Sequence, residues 1–248
     1  MRRFDHMLGR KSCRKLGTAL ILASALGALA TVAAQAESAV KIPAPAAEAA
    51  DHTQGLETAV LAGGCFWGIQ AVYQHVKGVT NAVSGYAGGA QKDAEYETVS
   101  TGRTGHAESV KVTFDPRVVS YGKILQIYFS VAHNPTELNR QGPDSGTQYR
   151  SEIFPQSEAQ QKTARDYIAQ LDAAHVFKRP IVTKTDTMKQ AFFPAEGYHQ
   201  DYALNHPMQP YIFINDAPKV EHLKAMFPGV YRDKPVTVAE AEKKSAKN

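Results

Sequence analysis

Cysteine is nearly missing from this chain: 248 residues hold two, Cys13 and Cys65, and tryptophan occurs once, at Trp67. Long hydrophobic runs are also lacking, with one exception at residues 16–34. It follows Arg2, Arg3, Arg10, Lys11, Arg14 and Lys15 and ends in Ala34-Gln35-Ala36. A basic segment, an apolar stretch and a small-x-small site form a secretory leader, so residues 1–36 are read as a signal peptide cleaved after Ala36. Arg2-Arg3 alone does not complete a twin-arginine signal. Cleavage removes Cys13, so the mature chain carries Cys65 alone and cannot close an intramolecular disulfide. An exported domain without that staple must take its stability from a hydrophobic core. Charge of one sign is also in short supply. The leader's six basic residues against Asp5 account for +5, which leaves about −1 of the whole chain's +4 for the mature part. The basic balance belongs to the leader, so nothing points to nucleic acid, and no membrane contact is expected after cleavage.

Metal chemistry is poorly provided for. His106-Ala107-Glu108 has the H-x-E form used by zinc nucleobase deaminases, but the later P-C-x-x-C is absent because no cysteine follows Cys65. His106, His133, His199 and His206 are scattered without ligand spacing.

What is present begins with Gly63-Gly64-Cys65-Phe66-Trp67-Gly68. A β-leaning apolar run at 58–62 precedes it. Ile69, Val72, Tyr73 and Val76 follow at helical spacing, ahead of Gly78. Cys65 is thus expected at a strand-to-helix turn, where unpaired N–H groups favour an ionised, nucleophilic thiolate. A buried and inert cysteine is the bland alternative. Glu108 stands where a Gly- and Thr-rich turn enters an apolar strand. There it is either a solvated carboxylate or a partly desolvated acid able to donate a proton. The polar loop from Gln141 to Ser151 reads as functional or as a plain hairpin connection. Tyr96 and Tyr149 are either phenolic donors to a ligand oxygen or ordinary tyrosines.

Strand-like runs fall at 58–62, 79–86, 108–114, 150–154 and 181–185. Helices are expected at 69–76, from the Ser120 cap to about 132, from Ser157 to 171, and more briefly at 196–204 and 220–226. This order predicts an α/β two-layer sandwich, a mixed sheet with helices packed mainly on one face. Residues 37–55 are expected to form a flexible lead-in, 56–228 one catalytic domain, and 229–248 a flexible tail.

Six segments in order, Gly64 to Gly68, Gly85 to Gly89, Thr104 to Glu108, His133 to Thr136, Gln141 to Ser151 and Ala195 to Gln200, closely resemble the A class of peptide methionine sulfoxide reductases. The resemblance spans residues 56–207. It implies a ferredoxin-like sandwich and reduction of the S epimer of methionine sulfoxide, free or in proteins and peptides. It also implies roles. Cys65 is the nucleophile, Glu108 the proton donor, Tyr96 and Tyr149 hydrogen-bond donors, Phe66 and Trp67 the rings holding the substrate methyl, and Asp144 a supporting carboxylate. No cofactor is implied, only an external thiol reductant, a thioredoxin-like protein or a small thiol. A monomer in the periplasm is expected. Two departures stand out. The resolving cysteines of many relatives are absent, which predicts a one-cysteine cycle, and Asn134 replaces a more usual Asp. Two other functions stay open: acyl transfer by a Cys65–His106 pair, and binding of oxidised Met without chemistry.

Overall fold

The computed structural model describes residues 39–48, 55–185 and 191–246, so the leader lies outside the described residues. The alternating runs of the sequence become the strands β1 (Glu57–Gly63), β2 (Val79–Ala87) and β3 (Ala107–Phe114). Two short strands, β4 (Arg140–Gln141) and β5 (Asp144–Ser145), form a separate ladder in the polar loop. The main sheet is completed by β6 (Ser151–Phe154) and β7 (Phe192–Pro194), in the order β6-β1-β3-β2-β7. Its strand pairs are antiparallel, and a single parallel bridge joins Glu152 to Lys184.

The sheet connects through helix α1 (Phe66–Gln74) after β1, and through α3 (Tyr121–Ile127) between β3 and β6; the short α2 (Tyr96–Val99) precedes β3. A β-α-β-β-α-β path with the last strand beside the first is the ferredoxin-like sandwich. The alternation of side chains sorts its two faces. Ala59, Leu61, Val110, Val112 and Phe114 join the main core, whereas Val60, Ala62, Ala87, Ala107 and Phe154 form a small cluster. Each fully buried Leu, Ile or Val contributes about 1.5–3 kcal/mol, so the helix-covered face carries most of the stability.

Ser120 caps α3, accepting the Lys123 N–H at 3.2 Å, but the helix widens into a π-helical turn at Tyr128–Ala132. Ser157 caps α4 (Glu158–Ala173) by accepting from the Gln160 N–H, and the Gln160 side chain reaches back to the Gln156 N–H. Beyond α5 (Tyr202–Asn205) a second π-helical turn, Ile212–Asp216, leads into α6 (Ala217–Met226).

Three expectations are corrected. Residues 181–185 form no strand, only the bridge at Lys184, with the Val182 N–H donating to the Pro135 carbonyl. The described part of the lead-in is packed rather than mobile. Ile42 is buried, the Val40 N–H bonds the Ser130 carbonyl, and Tyr167 donates to the Pro43 carbonyl. The tail is likewise held. Val236 and Val238 are buried, the Val236 N–H donates to the Gln74 carbonyl, and Asp201 accepts from the Val238 N–H ahead of α7 (Val238–Ser245). Two valines with an N-capping Thr237 anchor a segment whose lysine-rich end looks unpacked when read alone.

Candidate active site

Cys65 is the N-cap residue of α1, one position before the helix proper, in the sharp turn leaving β1. Two glycines make that turn possible. Gly64 has φ +94°, a region that penalises side chains, and a Cβ there would stand 2.6 Å from Cβ of Gln141. Gln141 in turn exchanges hydrogen bonds with the backbone of Asn134, whose carboxamide oxygen accepts from the N–H and hydroxyl of Thr136. The His133–Asn134 segment therefore shapes the loop behind Cys65. His133 is buried against Ser151 and the Tyr128 carbonyl, and burial lowers its pKa to about 3.

Glu108 stands near the start of β3, paired with Tyr86 of β2. It is 2% exposed and accepts a hydrogen bond from the Phe66 N–H at 3.1 Å. Burial raises its pKa to about 8, with Asp144 and Asp216 adding and the Phe66 N–H opposing. At neutral pH it is a carboxylic acid.

Arg150 ties the polar loop to Glu108. Its guanidinium donates to the carbonyls of Gly105 and His106, which precede Glu108, and to that of Thr147, and is paired with Glu152 at 2.5 Å. Tyr149 is thereby held beside the acid. Tyr96 arrives from the other side, its backbone N–H donating to Glu196, which also accepts from the Tyr86 hydroxyl at 2.8 Å. Burial and the neighbouring Glu108 raise the pKa of both phenols, so both keep their protons.

Cys65, Phe66, Trp67, Tyr96, Glu108, Asp144 and Tyr149, the seven residues singled out in the sequence, all line one cavity of about 170 Å³. Tyr211 lines it too and was not anticipated. Its hydroxyl donates to Asp144, and its ring meets Trp67 edge-on. A lone tyrosine after Pro210, outside any periodic run, offers no signal in sequence. Asp216 was also missed: buried beneath α1, it occupies the space that a side chain on Gly68 would need.

One electrostatic expectation is overturned. The thiol of Cys65 is pushed well above its usual pKa, first by burial and then by Glu108, Asp216 and Asp144, with the Trp67 N–H opposing. Its 7% exposure and acidic surroundings outweigh the helix terminus, so the resting sulfur is a thiol rather than a thiolate. His106 does not supply a base for it. Its Nδ1 accepts from the Gly89 N–H, and its Nε2 donates to the Ala90 carbonyl, so both nitrogens serve the turn before β3. Among the described residues no cluster of three or more His, Cys, Asp or Glu could hold a metal ion.

The mouth of the cavity is aromatic. Trp67 stacks on Tyr202 with centroids 3.9 Å apart, and its indole N–H donates to Nδ1 of His199 at 3.2 Å. Burial lowers the His199 pKa and keeps that ring neutral, with Phe66 and Tyr96 packed against it.

The family model for peptide methionine sulfoxide reductase matches residues 57–229. The chain belongs to that family. It is 62% identical over 187 residues to peptide methionine sulfoxide reductase MsrA 2 of Mesorhizobium japonicum, covering 75% of this chain and 95% of that relative. It is 49% identical over 172 residues to MsrA of Polynucleobacter asymbioticus, covering 69% of this chain and 90% of the relative. Among solved structures it is similar to methionine sulfoxide reductase A of Corynebacterium diphtheriae, with TM-score 0.54 and 32% identity over 70% of this chain and 86% of that one. It is also similar to reduced Mxr1 of Saccharomyces cerevisiae, with TM-score 0.55 and 30% identity over 62% of this chain and 87% of that one. The peptide methionine sulfoxide reductase assignment makes the protein an oxidoreductase that reduces methionine sulfoxide.

Proposed function

We propose that the cavity reduces the S epimer of methionine sulfoxide by direct attack of the Cys65 sulfur on the sulfoxide sulfur. The observation that carries this reading is the convergence of a buried neutral carboxyl and two un-ionised phenols on the cavity that Cys65 lines. A sulfoxide sulfur is a poor electrophile until its oxygen is hydrogen-bonded and protonated. Glu108 gives that oxygen a proton, and Tyr96 and Tyr149 hold it. As the Cys65 sulfur attacks, its own proton replaces the one Glu108 gave up. The attack bonds the Cys65 sulfur to the substrate sulfur, which now carries a hydroxyl. That hydroxyl then moves to the Cys65 sulfur as the substrate's S–O bond and the new S–S bond break, so methionine departs as the reduced thioether and Cys65 is left as a sulfenic acid. Phe66 and Trp67 grip the methyl, and sulfur–aromatic contacts are worth about 0.3–1.5 kcal/mol. With the methyl and oxygen fixed on different walls of a pyramidal sulfur, one epimer alone turns its sulfur toward Cys65. Asp144, held by Tyr211, supports the substrate.

Regeneration is proposed to use an external thiol, from a thioredoxin-like protein or a small thiol, because no second cysteine survives removal of the leader. The test combines protein with a methionine sulfoxide peptide and no reductant, then measures methionine and protein mass. One methionine per protein and one oxygen gained at Cys65 are expected. Methionine without a mass gain, or none at all, defeats the cycle, and binding without product leaves a mere binder. Turnover with thioredoxin, with glutaredoxin plus glutathione, and with dithiothreitol then ranks the reductants. We also propose export to the periplasm as a monomer. The basic segment and apolar run before Ala34-Gln35-Ala36 support the export, and the periplasmic protein should begin at Glu37 by mass. A full-length mass there argues for a retained anchor.

A further inference from the structure

Trp67, Gln70 and Gln74 recur at helical spacing, so one side of α1 carries the indole of the cavity wall followed by two amides. Both amides are buried, and both reach the same short turn. Gln70 donates to the Ala82 carbonyl and to Oε1 of Gln200, and its own Oε1 accepts from the Asp201 N–H at 2.9 Å. Gln74 donates to Oδ1 of Asp201 at 2.6 Å. Gln200 is fixed in turn by β2, where it bonds both the N–H and the carbonyl of Ser84.

Asp201 has φ +57°, a left-handed conformation that a residue with a side chain keeps only where its contacts hold it. The next residue is Tyr202, the ring stacked on Trp67. Helix α5 is a single turn of four residues, too short to sustain itself, so the pinning of Asp201 is what orients Tyr202. One pin comes from the far end of the chain. The Val238 N–H, at the first position of α7, donates to Oδ1 and Oδ2 of Asp201 at 3.1 and 3.2 Å, while the Val236 N–H donates to the Gln74 carbonyl. An N–H at the start of a helix has no partner within it, so the Asp201 carboxylate caps α7 from outside.

We propose that the C-terminal segment is a strut of the cavity mouth: through Asp201 it sets the turn that lays Tyr202 against Trp67, and so sets the affinity for the sulfoxide substrate. Asp201 is a positioning residue, and its effect rests on the grip of Trp67 on the substrate methyl proposed above. The acid and one phenol are attached elsewhere, since Glu108 bonds the Phe66 N–H and the Tyr96 N–H bonds Glu196. Loosening the strut therefore weakens binding and spares the rate at saturation.

Two single changes cut the contact from its two ends. Asp201→Gly leaves the left-handed turn open to the backbone and removes the carboxylate. Val238→Pro removes the N–H, since proline suits the first position of a helix and the extended Thr237 suits the residue before it. Asp201→Asn keeps both an acceptor and the turn. Methionine formed in a single turnover without reductant is measured across concentrations of a methionine sulfoxide peptide. The half-saturating concentration is expected to rise about tenfold in Asp201→Gly and several-fold in Val238→Pro, with maximal rates within about twofold of wild type and Asp201→Asn close to wild type in both. Tyr202→Ala, which removes the stacked ring, is expected to raise it as far, and adding Asp201→Gly to Tyr202→Ala to change nothing more. Asp201→Gly carries the test if Val238→Pro does not fold. Wild-type half-saturation in Asp201→Gly or Val238→Pro while Tyr202→Ala is impaired overturns the strut, as does a maximal rate that falls in step with affinity. Wild-type half-saturation in Tyr202→Ala as well would instead sink the methyl grip of Trp67, and the strut with it.

Discussion

Glu108→Gln is expected to slow methionine formation in a single turnover by about 10²–10⁴-fold while changing substrate affinity little. The amide keeps the acceptor for the Phe66 N–H, so the turn at Cys65 stays in place and only the transferable proton is lost. The wild-type rate should be level through neutral pH and fall as Glu108 ionises at about 8. That is the reverse of a thiolate-limited enzyme, whose rate climbs with pH. Stability carries the same signature. The carboxyl is raised from an unfolded value near 4.5 to about 8, so between these values the folded chain holds a proton that the unfolded chain releases. Wild-type stability is therefore eroded as pH rises through that window and levels above it, by an amount on the order of a few kcal/mol. Glutamine does not ionise, so the melting temperature of Glu108→Gln should gain on wild type from pH 5 to pH 8. A rate that keeps rising beyond pH 8, or a constant gap in melting temperature, would contradict a neutral Glu108.

The second large effect is expected from removing the two phenolic hydroxyls together. Tyr96→Phe with Tyr149→Phe leaves both rings in the wall but strips the two hydroxyls proposed to hold the sulfoxide oxygen. Loss of one such donor in other enzymes costs about 10²–10³-fold. The double variant should fall by at least that much in single-turnover rate, with a smaller change in KM. The backbone attachments of both residues, Tyr96 N–H to Glu196 and the Arg150 fork beside Tyr149, do not involve the hydroxyls, so the fold should hold. If the double variant keeps its single-turnover rate to within threefold, the phenols are lining and nothing more.

The strands β1, β2, β3 and β6 were legible as short apolar runs, helices α1, α3 and α4 from helical spacing or a capping serine, and α6 only as a brief helix at 220–226. β7 was not, since three residues of Phe-Phe-Pro show no period and gain their strand form only by pairing with β2. Residues 181–185 look like a strand in composition, yet the sheet takes one bridge there and no more. The site was readable where motifs cluster, around Cys65, Glu108 and the loop at 141–151. It was unreadable where it depends on chain reversal, as with Tyr211 and Asp216, which the second π-helical turn brings back across α1. The ionisation of Cys65 was misjudged for a related reason. A helix terminus is visible in sequence, whereas the burial that chiefly opposes it, and the carboxyl groups of Glu108, Asp216 and Asp144 that add to it, come from distant segments.

The stacked indole at the cavity mouth has a practical consequence. Because Trp67 is the sole tryptophan, its emission comes from one spot on the molecule, and that spot adjoins Cys65. Occupancy of the cavity and the oxidation of sulfur next door both alter the surroundings of this fluorophore. The native protein therefore carries its own optical reporter, able to time each half of the cycle in a stopped-flow instrument without a label.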